Sequence, residues 1–177
     1  MKKLSCSFML KRFYRLSVVK IFFLLFFSMV TPGWTLETSE YKNPASIMSF
    51  ADNFFHHGHY YRAVMEYERF IYFYPKHPDT PKARFNIACS MQSTGNYTFA
   101  LDLFTTLAKE YEGIPPGIEA SFQKAETLYL IHDYQSALKQ HEEFISRYPQ
   151  HQLADKAKST IEKIEKQSPL RSQRTQR

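Results

Sequence analysis

Glycine is scarce in this chain, with five residues among 177. That scarcity argues against a turn-rich all-β architecture and against glycine-rich loops that cradle phosphate. Cysteine is nearly absent too. Only Cys6 and Cys89 occur, and once a leader carrying Cys6 is removed Cys89 has no partner for an internal disulfide. No P-loop, Gly-x-Gly-x-x-Gly, Cys-x-x-Cys, His-Glu-x-x-His or Gly-x-Ser-x-Gly pattern is found. The sequence therefore gives no reason to expect an enzyme, a cofactor or a metal site.

Aromatic residues, in contrast, make up 16% of the chain. Rings bury large areas, so a small helical array can be held together by them. The net charge of +6 is unevenly placed. Lys2, Lys3, Lys11, Arg12, Arg15 and Lys20 precede residue 36 with no acid among them. Taking those six from the 23 Lys and Arg leaves 17, which balances the 17 Asp and Glu. A basic body that grips nucleic acid by neutralising phosphates is thus not expected.

The basic stretch leads into an apolar run, Ile21 to Val30, followed by Thr31-Pro32-Gly33-Trp34-Thr35. A run of ten residues suits the central region of a signal peptide and is short for a span of about 20. Two readings stay open for residues 1–35: a leader cleaved after Gly33 or Thr35, or an uncleaved anchor beginning near Ser17 that would bring membrane contact. Either way the positive flank stays cytoplasmic and the body is exported, to the periplasm or the envelope. No cysteine follows the run, so a lipid-anchored N-terminus is not supported. Residues 36–44 read as a linker.

The dominant signal is internal repetition. Gly58-His59-Tyr60-Tyr61-Arg62-Ala63, Gly95-Asn96-Tyr97-Thr98-Phe99-Ala100 and His132-Asp133-Tyr134-Gln135-Ser136-Ala137 each begin 37 residues after the last. Upstream, Ala51, Ala88 and Ala125 share the register, as do Phe54, Met91 and Leu128. Downstream come Tyr67, Phe104 and His141, then Phe70, Leu107 and Phe144, then Tyr74, Tyr111 and Tyr148. No gap is needed. The three- and four-residue steps predict two amphipathic helices per unit. Small residues let the helices approach, Gly58 and Gly95 suit a left-handed helix cap, and Pro75 and Pro149 stop the second helix. A single hairpin cannot bury its own apolar face, so the units stack.

The Gly-x-Tyr-x-x-Ala turn, the large residues four and seven later and the closing Tyr-Pro resemble the tetratricopeptide repeat. The 37-residue spacing and linkers such as Tyr74 to Ala83 resemble its envelope subgroup of outer-membrane assembly lipoproteins and periplasmic cell-division coordinators. The expected fold is all-α, a short right-handed superhelix of three hairpins plus a C-terminal capping helix. The repeats fall at about 45–80, 82–117 and 119–154 and the cap at 155–166, within a domain of 45–166. Residues 167–177 are polar with three arginines and read as a disordered basic tail. His132 in place of glycine, and Lys124 where other units have Phe50 and Ile87, predict a looser third hairpin.

Ala51, Gly58, Tyr60, Ala63, Ala88, Gly95, Tyr97, Ala100, Ala125, Tyr134 and Ala137 are expected to pack the repeats. The resemblance implies that the other face of each first helix lines a groove for a partner peptide. Its candidates are Met48, Asp52, Phe55 and His56, then Phe85, Cys89 and Gln92, then Phe122, Glu126 and Tyr129. The cluster His56-His57-Gly58-His59 reads as turn residues, because adjacent histidines diverge by one helical step. The implied function is non-enzymatic protein–protein interaction in the bacterial cell envelope. The alternative is an accessory protein of secretion or envelope assembly tethered to the inner membrane. The partner and the oligomeric state are left open.

Overall fold

The computed structural model describes residues 43–167, and the readings of the leader and of the basic tail beyond residue 167 lie outside the described residues. Among the described residues there are helices and no strands. They are α1 (Pro44–His56), α2 (Tyr60–Phe73), α3 (Thr80–Ser93), α4 (Tyr97–Glu110), α5 (Gly117–Leu130), α6 (Tyr134–Arg147) and α7 (Ala154–Gln167). The boundaries keep the sequence interval. The second helices start at Tyr60, Tyr97 and Tyr134, and the first helices end at His56, Ser93 and Leu130. Each helix packs on its neighbour in the chain, and α1 also reaches α3. None of these helices is long and apolar enough to cross a membrane.

The turn inside each hairpin is the same object three times. The N–H of His59 donates to the carbonyl of Phe54 at 2.9 Å, that of Asn96 to Met91 at 2.8 Å and that of Asp133 to Leu128 at 3.0 Å. Such a closure needs a left-handed residue just after the helix. Gly58 (φ 75°), Gly95 (φ 83°) and His132 (φ 64°) supply it. The third turn is therefore not loosened. His132 adopts the glycine conformation, and its Nδ1 meets the Tyr134 hydroxyl at 2.8 Å.

The links between hairpins also repeat. Tyr74, Tyr111 and Tyr148 each donate their N–H back to the second helix, to Phe70, Leu107 and Phe144 at 2.8, 3.0 and 2.8 Å. His77 and His151 sit at matching places and lay their rings against Phe70 and Phe144, at 5.3 and 6.1 Å between centroids. Gly117 opens α5 so close to the Tyr111 carbonyl that a Cβ would lie 1.9 Å from its oxygen.

The alanines in register, Ala51, Ala88 and Ala125 on first helices and Ala63, Ala100 and Ala137 on second, are fully buried. So are the columns Tyr67, Phe104, His141 and Phe70, Leu107, Phe144. Small residues set the helix separation and large ones fill the seam between hairpins. The last helix buries Ala154, Ala157, Thr160 and Ile164 and leaves Asp155, Lys156, Lys158, Glu162 and Lys163 exposed, a solvated end to the stack.

Candidate functional site

The first helices present one face away from their hairpin partners. The sequence candidates on it fall into different environments. His56 is exposed. Phe55 is half-buried, its ring edge-on to His56 at 5.8 Å and to Tyr60 at 5.7 Å. Tyr129 is half-buried against Tyr134 at 5.8 Å. Gln92 donates from Nε2 to Thr127 Oγ1 at 2.9 Å and so ties α3 to α5.

Met48 and Phe122 correct the expectation: neither has surface to offer a partner. Met48 is 6% exposed and belongs to the core of the first hairpin. Phe122 is 1% exposed, packed edge-on to His141 and Phe144, both at 5.6 Å, with Lys156 Nζ 5.4 Å from its ring centre. Phe85, its counterpart in α3, stays half-buried against Phe104 at 5.7 Å.

Asp52, Cys89 and Glu126 occupy one register column, and the structure reveals a polar seam beneath it. Asp52 Oδ1 accepts from the Tyr67 hydroxyl at 2.5 Å and from Asn86 Nδ2 at 3.2 Å, and Asn86 Nδ2 also donates to the Tyr67 oxygen at 3.0 Å. Lys82 Nζ stands 3.6 Å from Asp52 Oδ2. Two repeats later Glu126 Oε1 accepts from Thr160 Oγ1 at 2.9 Å and lies 3.3 Å from Nε2 of the buried His141. That approach is at ion-pair distance but off the line of a hydrogen bond. Asp52, Tyr67 and Asn86 thus correspond, position for position, to Glu126, His141 and Thr160. The middle unit fills the column with Cys89, Phe104 and Gln123. The acids keep an open edge, with 29% of the Asp52 side chain and 21% of Glu126 exposed.

Electrostatics follow from that placement. Burial pushes the Tyr67 hydroxyl well above its ordinary value, reinforced by the bond to Asp52, so it remains a donor. Burial alone pushes the Cys89 thiol up to about 12, which makes it a poor nucleophile. For Glu126 burial works to raise the value. The contacts from His141 and Thr160, with the charges of His141 and Lys156, outweigh it and hold the carboxyl below its ordinary value. Among the described residues no group of three His, Cys, Asp or Glu side chains is placed to hold a metal ion.

Sequence reading missed Tyr67, Asn86, His141 and Thr160 as partners of the groove acids. The signal was present, since each pair of equivalents is 74 residues apart in an ungapped register.

The comparisons agree with this architecture. Among the solved structures that resemble the chain are two of nearly identical TPR-like repeats from a kinesin light chain-like protein of Podosopora anserina. One aligns with a TM-score of 0.57 at 15% identity, covering 70% of this chain and 67% of that one. The other, a single-substitution variant, aligns with a TM-score of 0.57 at 14% identity, covering 68% and 64%. The fold is a TPR-like helical repeat. No protein-family model and no curated protein matches the sequence. The chain thus spans about two thirds of the repeat structures it resembles. Stacked repeats of this kind in general build an extended concave surface.

Proposed function

We propose that this chain is a non-enzymatic interaction scaffold of the bacterial cell envelope that holds a partner peptide along the face of its first helices. The observation that carries the reading is the pair Asp52 and Glu126. Two half-buried acids stand two repeats apart, each braced from below, each with an open edge. Between them lie Phe85 and Cys89, and beside them Phe55 and Tyr129 offer half-exposed rings. Rigid acceptors interleaved with aromatic surface suit an extended peptide, whose backbone or basic donors meet the acids while its side chains meet the rings. Braced acceptors lose little freedom on binding, which favours affinity. No bond is made or broken in this mechanism.

The envelope placement rests on the basic and apolar character of residues 1–35. The same observation favours a second reading, an accessory protein of secretion or envelope assembly held at the inner membrane by an uncleaved N-terminal helix. Mass spectrometry of the mature chain separates the two, because loss of about 35 residues removes the tether.

The groove is tested by affinity capture from native membranes with the original chain and with Asp52→Ala, Glu126→Ala and Phe55→Ala variants shown by circular dichroism to be folded at the capture temperature. A partner retained by the first and lost from all three supports the reading. Partners that bind all four chains equally overturn it.

A further inference from the structure

Lys82 of α3, Glu119 of α5 and Lys156 of α7 share one register position, three residues into their helices. The register sets them against the column Asp52, Cys89 and Glu126 of the preceding first helix. Lys82 Nζ stands 3.6 Å from Asp52 Oδ2. Two repeats later the charge of Lys156 acts on Glu126. Asp52 and Glu126 thus already have a cation from the chain itself, and their open edges suit the neutral donors of a peptide backbone.

The middle step reverses the pattern. Here the row supplies an acid, Glu119, and the column supplies Cys89, whose thiol burial keeps protonated. Glu119 Oε2 is buried and has no hydrogen-bond partner. No salt bridge to Glu119 forms among the described residues. A carboxylate oxygen held out of water with neither donor nor counter-charge is costly. The residue keeps part of its surface in solvent, so a cation from outside can approach it.

The array contains its own example of what such a cation does. Lys156 Nζ lies 5.4 Å from the ring centre of Phe122, one first helix back, and Phe122 is 1% exposed. The same interval counted back from Glu119 leads to Phe85, which stays partly exposed. A ring face attracts a cation and repels a carboxylate. At one step of the groove the chain covers the ring with its own ammonium. At the step before, it leaves the ring open and places an unpaired acid where that ammonium would originate. The bond from Gln92 to Thr127 at 2.9 Å holds α3 and α5 at a fixed spacing, so the pair is braced before anything binds.

We infer that Glu119 and Phe85 form a site for a lysine side chain of the partner peptide, its stem laid on the ring and its ammonium against the carboxylate. This rests on reading the first-helix face as a peptide groove, and it assigns that peptide a basic residue at the groove's middle step.

The test pans a phage-displayed library of random dodecapeptides on the original chain and on Glu119→Gln, Glu119→Lys, Asp52→Ala and Glu126→Ala, all shown by circular dichroism to be folded. Glu119→Lys copies Lys156 and lays the chain's own ammonium toward Phe85. Peptides selected on the original chain are expected to be enriched in lysine. A synthetic copy of the strongest should bind both Glu119 variants at least about tenfold more weakly. Replacing its lysine by norleucine should cost a similar factor on the original chain and much less on Glu119→Gln. Selected peptides without lysine enrichment overturn the inference, as does equal affinity for the original chain and Glu119→Gln. Peptides that ignore Glu119 yet are lost on Asp52→Ala and Glu126→Ala overturn the lysine site alone and leave the groove standing. Peptides lost on none of the variants, or no selected peptides at all, overturn the groove and the lysine site together.

Discussion

The Tyr67 hydroxyl on α2 donates to Asp52 on α1 across 2.5 Å, joining the two helices of one hairpin beneath the groove face. The bond is to a carboxylate and partly buried, so its removal costs more than a surface contact. Tyr67→Phe, which copies the Phe104 of the next repeat, is expected to lower stability by about 1.5–3 kcal/mol in urea melts. A double-mutant cycle with Asp52→Ala should show strong coupling, and strict additivity would show that the bond contributes nothing.

His132 stands at φ 64° where the other two hairpins have glycine. A side chain in that conformation is strained, and the bond to the Tyr134 hydroxyl at 2.8 Å is exposed and returns little. His132→Gly should raise stability by about 0.5–1 kcal/mol, and the reverse change, Gly95→His, should lower it by a similar amount. Chemical denaturation of the pair measures both signs.

Glu126 gives the fold a pH dependence whose direction is fixed. Its folded value is depressed, so ionised Glu126 adds stability above its unfolded value of about 4.3, and that stability fades as pH falls through this region and below. Glu126→Gln should therefore cost stability at neutral pH, about 1–2 kcal/mol, and little or nothing near pH 3. Melting curves of both chains across that range should converge on the acid side. Curves that stay parallel would remove the special role given to this carboxyl.

Burial pushes the Cys89 thiol up to about 12. At pH 8 its thiolate fraction is therefore far below that of an exposed cysteine. Alkylation by iodoacetamide should be much slower in the native chain than for a free thiol and should recover in urea. Rapid native labelling would place the thiol outside the seam between α3 and its neighbours.

Phe85 and Phe122 occupy the same register position and should respond differently. Phe122→Ala removes a ring that is 1% exposed and should cost about 3–5 kcal/mol. Phe85→Ala removes a half-buried ring, should cost less, and should weaken partner binding more than folding. Equal losses in thermal melts would put Phe85 in the core.

The ease of reading the fold, compared with the site, has a physical cause. Helix limits were legible because the residues that set them act locally: a left-handed cap at Gly58 and Gly95, a proline after Tyr74 and Tyr148. Those constraints need no knowledge of neighbours. The expected loosening at His132 failed because a glycine-like conformation costs a side chain only about 1–2 kcal/mol, and the closing bond from Asp133 to Leu128 still forms. The burial of Phe122 was illegible for a different reason. It depends on α6 and α7, which bring His141, Phe144 and Lys156 around one ring. The polar seam was hidden likewise, since Asp52 and Tyr67 each look like an ordinary member of its own helix. Only their contact, fifteen positions apart, gives them a joint role.

The seam of Asp52, Tyr67 and Asn86 returns as Glu126, His141 and Thr160 only after a unit that omits it. Geometry in this array therefore recurs with every hairpin, while its charge recurs with every second one. Excising the middle hairpin would bring Gln123 to the place of Asn86 but Glu119 to the place of Lys82, so Asp52 would keep a carboxamide beside it and lose its cation to a second acid. Lengthening the array by one hairpin copied from either end would instead set two ionised seams back to back.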